Sequence, residues 1–311
     1  MWLINTETLK LDEVVDASSV KYAILSHTWE DDEVSFRDIS CLESAKQKAG
    51  FSKIAKTCEL ARERNLRYAW VDTCCIDKSS SAELSEAINS MFQWYKLSTI
   101  CFVFLSDLRP LATTQLERPT SLFPYDHQTF GGCRWFSRGW TLQELIAPHN
   151  IEFYNSSWQL FSTKQLDDGC LSSLAQVTTI PVSVLNRSIS LRKIPVGVKM
   201  SWAAHRQTKR VEDRAYSLLG IFDINMPMIY GEGSKAFRRL QERIARDTND
   251  LSLFAWAPSI DTENAGAVRR RFCGIFANSP RGFSSCTNLS KSPASGWQQP
   301  VEYSLTNKGL P

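Results

Sequence analysis

The sequence is poor in the features that most readily announce a function. No apolar run approaches the roughly 20 residues that a membrane-spanning helix needs. The opening MWLINTETLK has no basic segment followed by a long apolar stretch, so no secretory leader is expected. Neither sign of charge dominates: 36 Lys and Arg stand against 33 Asp and Glu, a net of +3. That balance gives no argument for nucleic acid or for an acidic membrane surface as partner. The nine cysteines are odd in number and contain no CxxC pair, which argues against a disulfide framework and against a zinc knuckle. Four scattered histidines form no metal-ligand cluster, so neither metal nor cofactor is expected. There is no GxGxxG, no GxxxxGK[ST] and no GxSxG. These absences exclude the usual dinucleotide turn, the P-loop and the hydrolase nucleophile elbow. Internal repeats and low-complexity tracts are missing as well. A soluble protein of a reducing compartment, the cytoplasm, is the expectation.

What is present is a 311-residue chain with 43% hydrophobic residues, enough for one large core or two domains. Its first half alternates. YAILS (22–26), RYAWVD (67–72), TICFVFLS (99–106) and IEFYN (151–155) are short apolar runs of strand length. Between them, FSKIAKTCELARER places Phe51, Ile54, Ala55, Cys58 and Ala61 on one helical face. SSAELSEAINSMFQWY carries Leu84, Ile88, Met91 and Tyr95 as an apolar stripe behind a Ser80–Glu83 capping-box pattern. Strands that alternate with helices predict an α/β fold, a parallel sheet with helices on both faces. Cys101, inside ICFVFL, reads as a small core hydrophobe.

In such a sheet, ligands bind beyond the carboxyl ends of the strands. The loops there hold SHTWEDDE (26–33), DTCCIDKSSS (72–81) and CRWFSRGWTLQEL (133–145). Each candidate has an ordinary role beside a functional one. His27 is a structural histidine or a base. The acidic loop is solvated or holds a cation, though its spacing matches no calcium loop. Cys74 and Cys75 are core thiols or a reactive pair, with no cationic neighbour to lower a pKa. Asp72 is recommended by its place at a strand end. Glu144 lies in SRGWTLQELIAP among Trp140, Leu142, Leu145 and Ile146. A carboxylate is costly in apolar surroundings, so Glu144 is either a surface residue, paired with Arg138, or a residue placed for chemistry.

The second half is helical in pattern over KMSWAAHRQTKRVEDRAYSLLGIF and GSKAFRRLQERIARDT, with LSLFAW (251–256) as a further strand. Arg206, Arg210, Glu212, Asp213 and Arg214 form a charge network that docks the helical half on the sheet, or else Arg206 or Arg210 reaches across and holds a pyrophosphate. Tyr230-Gly231-Glu232-Gly233 reads as a turn whose free N–H groups can receive an anion. Beyond about residue 258, Ser, Pro, Gly and Asn dominate, and VEYSLTNKGLP reads as a strand running into a turn.

YAILSHTWEDDEVSF, the stretch from GFSKIAKTCELARER to SSAELSEAINSMFQWY, FVFLSDL, CRWFSRGWTLQELIAP and RVEDRAYSLLGIFDINMPMIYGEGSKAFRRLQERI together resemble the fungal heterokaryon-incompatibility (HET) domain. The resemblance runs to about residue 258. It implies a HET domain over 1–258, with a helical extension at about 159–258 packed on the sheet, and a C-terminal extension over 259–311 that continues in a longer protein. It also implies a role in vegetative incompatibility, an innate-immunity-like programmed cell death. Self-association and a nucleotide-binding oligomerisation module are the implied partners. Over about 20–158 the same motifs more remotely resemble TIR domains, which implies a flavodoxin-like sheet. It further implies NAD hydrolysis at the nicotinamide–ribose bond, with Glu144 as the catalytic carboxylate and NAD as substrate rather than cofactor. On that resemblance Ser26, His27, Trp29, Asp72, Cys74, Asp77 and Trp140, with Arg206 and Arg210, are the substrate-binding candidates. The alternative function is a non-catalytic death-signalling module that works by self-association.

Overall fold

Tyr22–His27 (β3) is buried at all six positions, which only a strand flanked by others and covered on both faces allows. Its neighbours are Tyr68–Trp70 (β4) and Ile100–Phe104 (β5), and β5 pairs in turn with Ile151–Tyr154 (β6). All three pairings are parallel, as the apolar runs predict. This computed structural model describes residues 1–110, 127–165, 168–258 and 274–290.

The sheet is nevertheless mixed rather than wholly parallel. Trp2–Asn5 (β1) pairs antiparallel with β4 and with Leu11–Glu13 (β2), and Leu160–Thr163 (β7) pairs antiparallel with β6. The seven strands run in the order β2-β1-β4-β3-β5-β6-β7. The three added strands, of three or four residues each, extend the sheet at its two ends, with β2 and β7 at the edges. Short hairpin-type connections join β1 to β2 and β6 to β7, without a helical crossover.

Two compact units divide the chain, Met1–Asn186 and Arg187–Pro311. In the first, Phe51–Glu63 (α1) buries Ile54, Cys58 and Ala61 of its expected face, while Phe51 and Ala55 are half-buried. Ser81–Leu97 (α2) buries Ile88, Met91 and Tyr95. Trp70 of β4 meets both Trp94 and Tyr95 of α2 edge to face, at 5.7 and 5.9 Å between ring centroids. The capping box before α2 is half made. Ser80 accepts from the Glu83 N–H, but the Glu83 carboxylate accepts from the Asp77 N–H instead of reaching back to Ser80. Arg134–Ser137 (α3) and Thr141–Ile146 (α4) follow, and then Asp168–Thr178 (α5).

In the second unit the long helical pattern breaks into Val196–Ser201 (α6), Asp213–Tyr216 (α7) and Leu219–Phe222 (α8). The polar stretch 205–211 is mostly exposed and has no apolar face to hold a helix. Asp223, left-handed at φ 60°, ends α8. Lys235–Asp247 (α9) is the amphipathic helix expected, burying Phe237, Leu240 and Ile244. Its buried Gln241 gives and takes a hydrogen bond with the Ala277 backbone, at 2.8 and 2.9 Å, and so fixes the segment after 274. LSLFAW is not a strand. Leu251–Phe254 is a 3₁₀ turn, because Asp250 caps it by accepting from the Ser252 N–H at 3.0 Å. The expected strand in VEYSLTNKGLP lies outside the described residues.

Candidate active site

Ser26 and His27 end β3, and neighbours on a strand project to opposite faces of the sheet. The structure accordingly sorts the first-unit candidates into two clusters.

The first gathers on Ser26. Its hydroxyl donates to Glu144 Oε2 and accepts from Trp135 Nε1 at 2.8 Å. Glu144 sits on α4, whose six residues are all buried, and is itself only 7% exposed. That exposure overturns the surface alternative for this residue. Tyr95 closes the cluster: its hydroxyl donates to the Leu25 carbonyl at 3.0 Å. Burial first, and then the charge of the Glu144 carboxylate, push that hydroxyl well above the ordinary tyrosine range. Cys101 is fully buried and its thiol is raised for the same two reasons, in keeping with a core role.

Lys164, 1% exposed, holds the far end of α4. Its ammonium donates to the Leu145 and Pro148 carbonyls at 3.2 and 3.0 Å, satisfying groups that a helix C-terminus leaves open. Thr141 ties the near end, with its hydroxyl donating to the Arg138 carbonyl at 2.9 Å. The short helix that carries Glu144 is thus pinned at both ends.

The second cluster gathers on Asp72, just past β4. Its carboxylate lies 3.1 Å from His27 Nε2 and accepts from Trp29 Nε1 at 2.8 Å. The Lys78 ammonium sits 4.0 Å above the Trp29 ring. Burial raises the Asp72 carboxyl, but His27, Lys78 and the Trp29 hydrogen bond outweigh it, so the group ends below its ordinary value. With the Asp72 carboxylate accepting, His27 Nε2 is the donor of this contact. Nδ1 is buried without a hydrogen-bond partner, 3.9 Å from Glu33 Oε1. Asp72 holds the histidine ring from 45 residues away, which no inspection of the neighbouring sequence reveals.

The remaining candidates are placed elsewhere. Cys74 is fully buried, its thiol donating to the Val71 carbonyl and raised well above its ordinary value by burial first. It faces the core rather than a ligand. Asp77 forms a turn, accepting from the Ser79 N–H at 2.9 Å. Trp140 is half-buried at the start of α4. Arg206 and Arg210 belong to the second unit. Arg206 Nε donates to the Trp202 carbonyl at 3.3 Å, and the Arg210 guanidinium lies 4.3 Å from the Tyr230 ring centroid. The N–H groups of Gly231 and Gly233 do receive an anion, but it is the protein's own Glu212, at 2.8 and 2.9 Å. Tyr230 donates to Asp213 at 3.0 Å. These contacts of Arg210, Glu212 and Asp213 lie within the second unit.

Sequence reasoning missed Trp135, Tyr95 as a polar partner, and Lys164. Trp135 stands in the quoted CRWFSRGW motif, yet nothing there distinguishes it from Trp140. Among the described residues, no group of three or more His, Cys, Asp or Glu is arranged to hold a metal ion. Nor is any helix there long and apolar enough to cross a membrane.

A family model described as "Heterokaryon incompatibility protein (HET)" matches residues 22–129, and one described as "Domain of unknown function (DUF8212)" matches residues 235–295. Vegetative incompatibility protein HET-E-1 of Podospora anserina is 41% identical over 270 residues, 83% of this chain and 19% of that protein. The chain thus spans about a fifth of the length of that relative. No solved structure matches the chain. Since the first match takes in Ser26, His27 and Asp72 and the identity to HET-E-1 extends over most of the remaining sequence, the chain belongs to the heterokaryon-incompatibility (HET) family.

Proposed function

We propose that this chain acts in heterokaryon incompatibility as a cell-death effector that hydrolyses NAD at the nicotinamide–ribose bond, with Glu144 as the catalytic carboxylate. One observation carries the reading. A buried carboxylate is anchored to the end of β3, where strand order reverses between β4 on one side and β5 on the other. Such a switch point is where open parallel sheets bind ligands. The four parallel strands, ordered β4-β3-β5-β6, follow the first four positions of a flavodoxin-like sheet. The chemistry suits one carboxylate. Nicotinamide leaves NAD as a neutral ring and needs no proton, while positive charge develops on the ribose. A fixed anion in dry surroundings stabilises that charge. Water then adds to the ribosyl cation and releases a proton, giving ADP-ribose.

The second reading, a signalling module without chemistry, has its own support. Glu144 is already engaged by Ser26 inside the fold, as a structural carboxylate would be. Incubation of the purified chain with NAD separates the two. Nicotinamide release that Glu144→Gln abolishes is the expected result. No release from a folded chain that still kills cells overturns the enzymatic reading in favour of assembly.

A further inference from the structure

Trp135 reaches Glu144 at one remove, through Ser26. The three residues come from three elements: Trp135 from α3, Ser26 from the end of β3 and Glu144 from α4. The donor and acceptor roles along this chain are fixed. An indole N–H only donates, so the Ser26 oxygen accepts from Trp135 at 2.8 Å. A serine hydroxyl has a single proton, and Ser26 gives it to Glu144 Oε2. Trp135 and Ser26 are both fully buried.

The indole is itself held in place. Its ring meets Phe136 and Phe153 edge to face, at 5.0 and 6.0 Å between centroids. A hydroxyl that accepts one hydrogen bond donates the next more strongly. The last torsion of a glutamate is broad, and it sets which way the two carboxylate oxygens face. The bond from Ser26 narrows that choice at Oε2. We propose that Trp135 is a positioning residue: its indole N–H orients and polarises the Ser26 hydroxyl, which holds the Glu144 carboxylate as an aimed anion. The part this relay plays in catalysis rests on the NAD reading, whereas the relay itself does not. Tyr95 borders the carboxylate as well and is left intact in the test.

The test is a double-variant cycle on the full chain, with Trp135→Phe and Ser26→Ala alone and together, read in two ways. The first is the infrared carboxylate stretch of Glu144 at neutral pH, isolated in each background by subtracting the spectrum of the same protein with Glu144→Gln. The band should move in Ser26→Ala and move the same way but less far in Trp135→Phe. In the double variant it should move no further than in Ser26→Ala. The second is nicotinamide release. kcat should fall about tenfold in Ser26→Ala, the weight of one hydrogen bond to a charged group. It should fall about threefold in Trp135→Phe, with KM unchanged and the two losses not adding. A band unmoved by Trp135→Phe, additive band shifts, or a protonated carboxyl band in place of the carboxylate band in the wild type each overturns the relay, whatever the activity. Band shifts with an unchanged kcat overturn the positioning role. Band shifts as expected in a chain that releases no nicotinamide count against the NAD reading and leave the relay standing. Where Trp135→Phe does not fold, benzothienylalanine at position 135 keeps the bicyclic shape, replaces the N–H by sulfur and decides in its place.

Discussion

Glu144 and Asp72 are the two carboxylates on which the site rests, and their surroundings ask different things of them. Glu144→Gln keeps the shape and can still accept from Ser26, but it removes the charge. On the enzymatic reading, nicotinamide release should fall by about 10²–10³, the usual cost of losing one such electrostatic contact. The melting temperature should hold within a few degrees, because the amide still fills the same space. Asp72 makes a pH prediction. Its carboxyl is held below the ordinary value of 3.8, so its contribution to stability is complete above that value and is lost as pH falls through the lower, folded one. Asp72→Asn should cost about 1.5–3 kcal/mol at neutral pH, by weakening charged hydrogen bonds to His27 and Trp29. It should also flatten the fall in stability below about pH 4. Melting curves of both proteins across pH 2–7 check this, and parallel acid limbs would refute it. Sequence alone reached both acids, because a costly type at a strand end or in an apolar run stands out. It did not reach Trp135, Tyr95 or Lys164, since a tryptophan, a tyrosine and a lysine look unremarkable until distant segments bring them onto Ser26 and α4.

The elements divide along the same line. β3, β4, β5 and β6 were legible because burial on both faces writes a nearly continuous apolar run. β1, β2 and β7 were not: at three or four residues each they are too short for a period to show, and the edge strand Leu11–Glu13 is polar as well. LSLFAW shows the converse: apolar content without a strand partner settled into a capped 3₁₀ turn with Leu253 alone buried. α4 is the most informative element for function. At six residues it is too short to be stable alone, and Lys164 holds its C-terminal carbonyls. Lys164→Met keeps the stem but leaves the Leu145 and Pro148 carbonyls without this donor. A loss of about 2–3 kcal/mol in denaturant unfolding is expected, since these bonds come from a charged donor and the carbonyls are buried. Hydrogen exchange should report earlier opening of 141–147 than of β5. A stability change below about 0.5 kcal/mol would mean that α4 is held by packing alone.

At the scale of the whole molecule, the polar contacts that define both carboxylate clusters close within Met1–Asn186. Ser26, Trp135, Tyr95 and Lys164 serve Glu144, and His27, Trp29 and Lys78 serve Asp72. All seven strands found among the described residues lie there too. The second unit has a core of its own around Leu218, Ile221, Phe237 and Leu240. A segment with a complete sheet and a core of its own meets the physical requirement for a domain. A chain cut after Asn186 is therefore expected to melt cooperatively and to show dispersed amide resonances. The same fragment separates two origins of substrate affinity. It lacks Arg206 and Arg210, which in the full chain contact the Trp202 carbonyl and the Tyr230 ring. If those arginines serve only the second unit, the fragment should release nicotinamide with a KM within about threefold of the full chain, under 1 kcal/mol of binding. A folded fragment whose KM rises more than about tenfold with kcat unchanged would show that the second unit supplies uniform substrate binding, as an arginine on the pyrophosphate would.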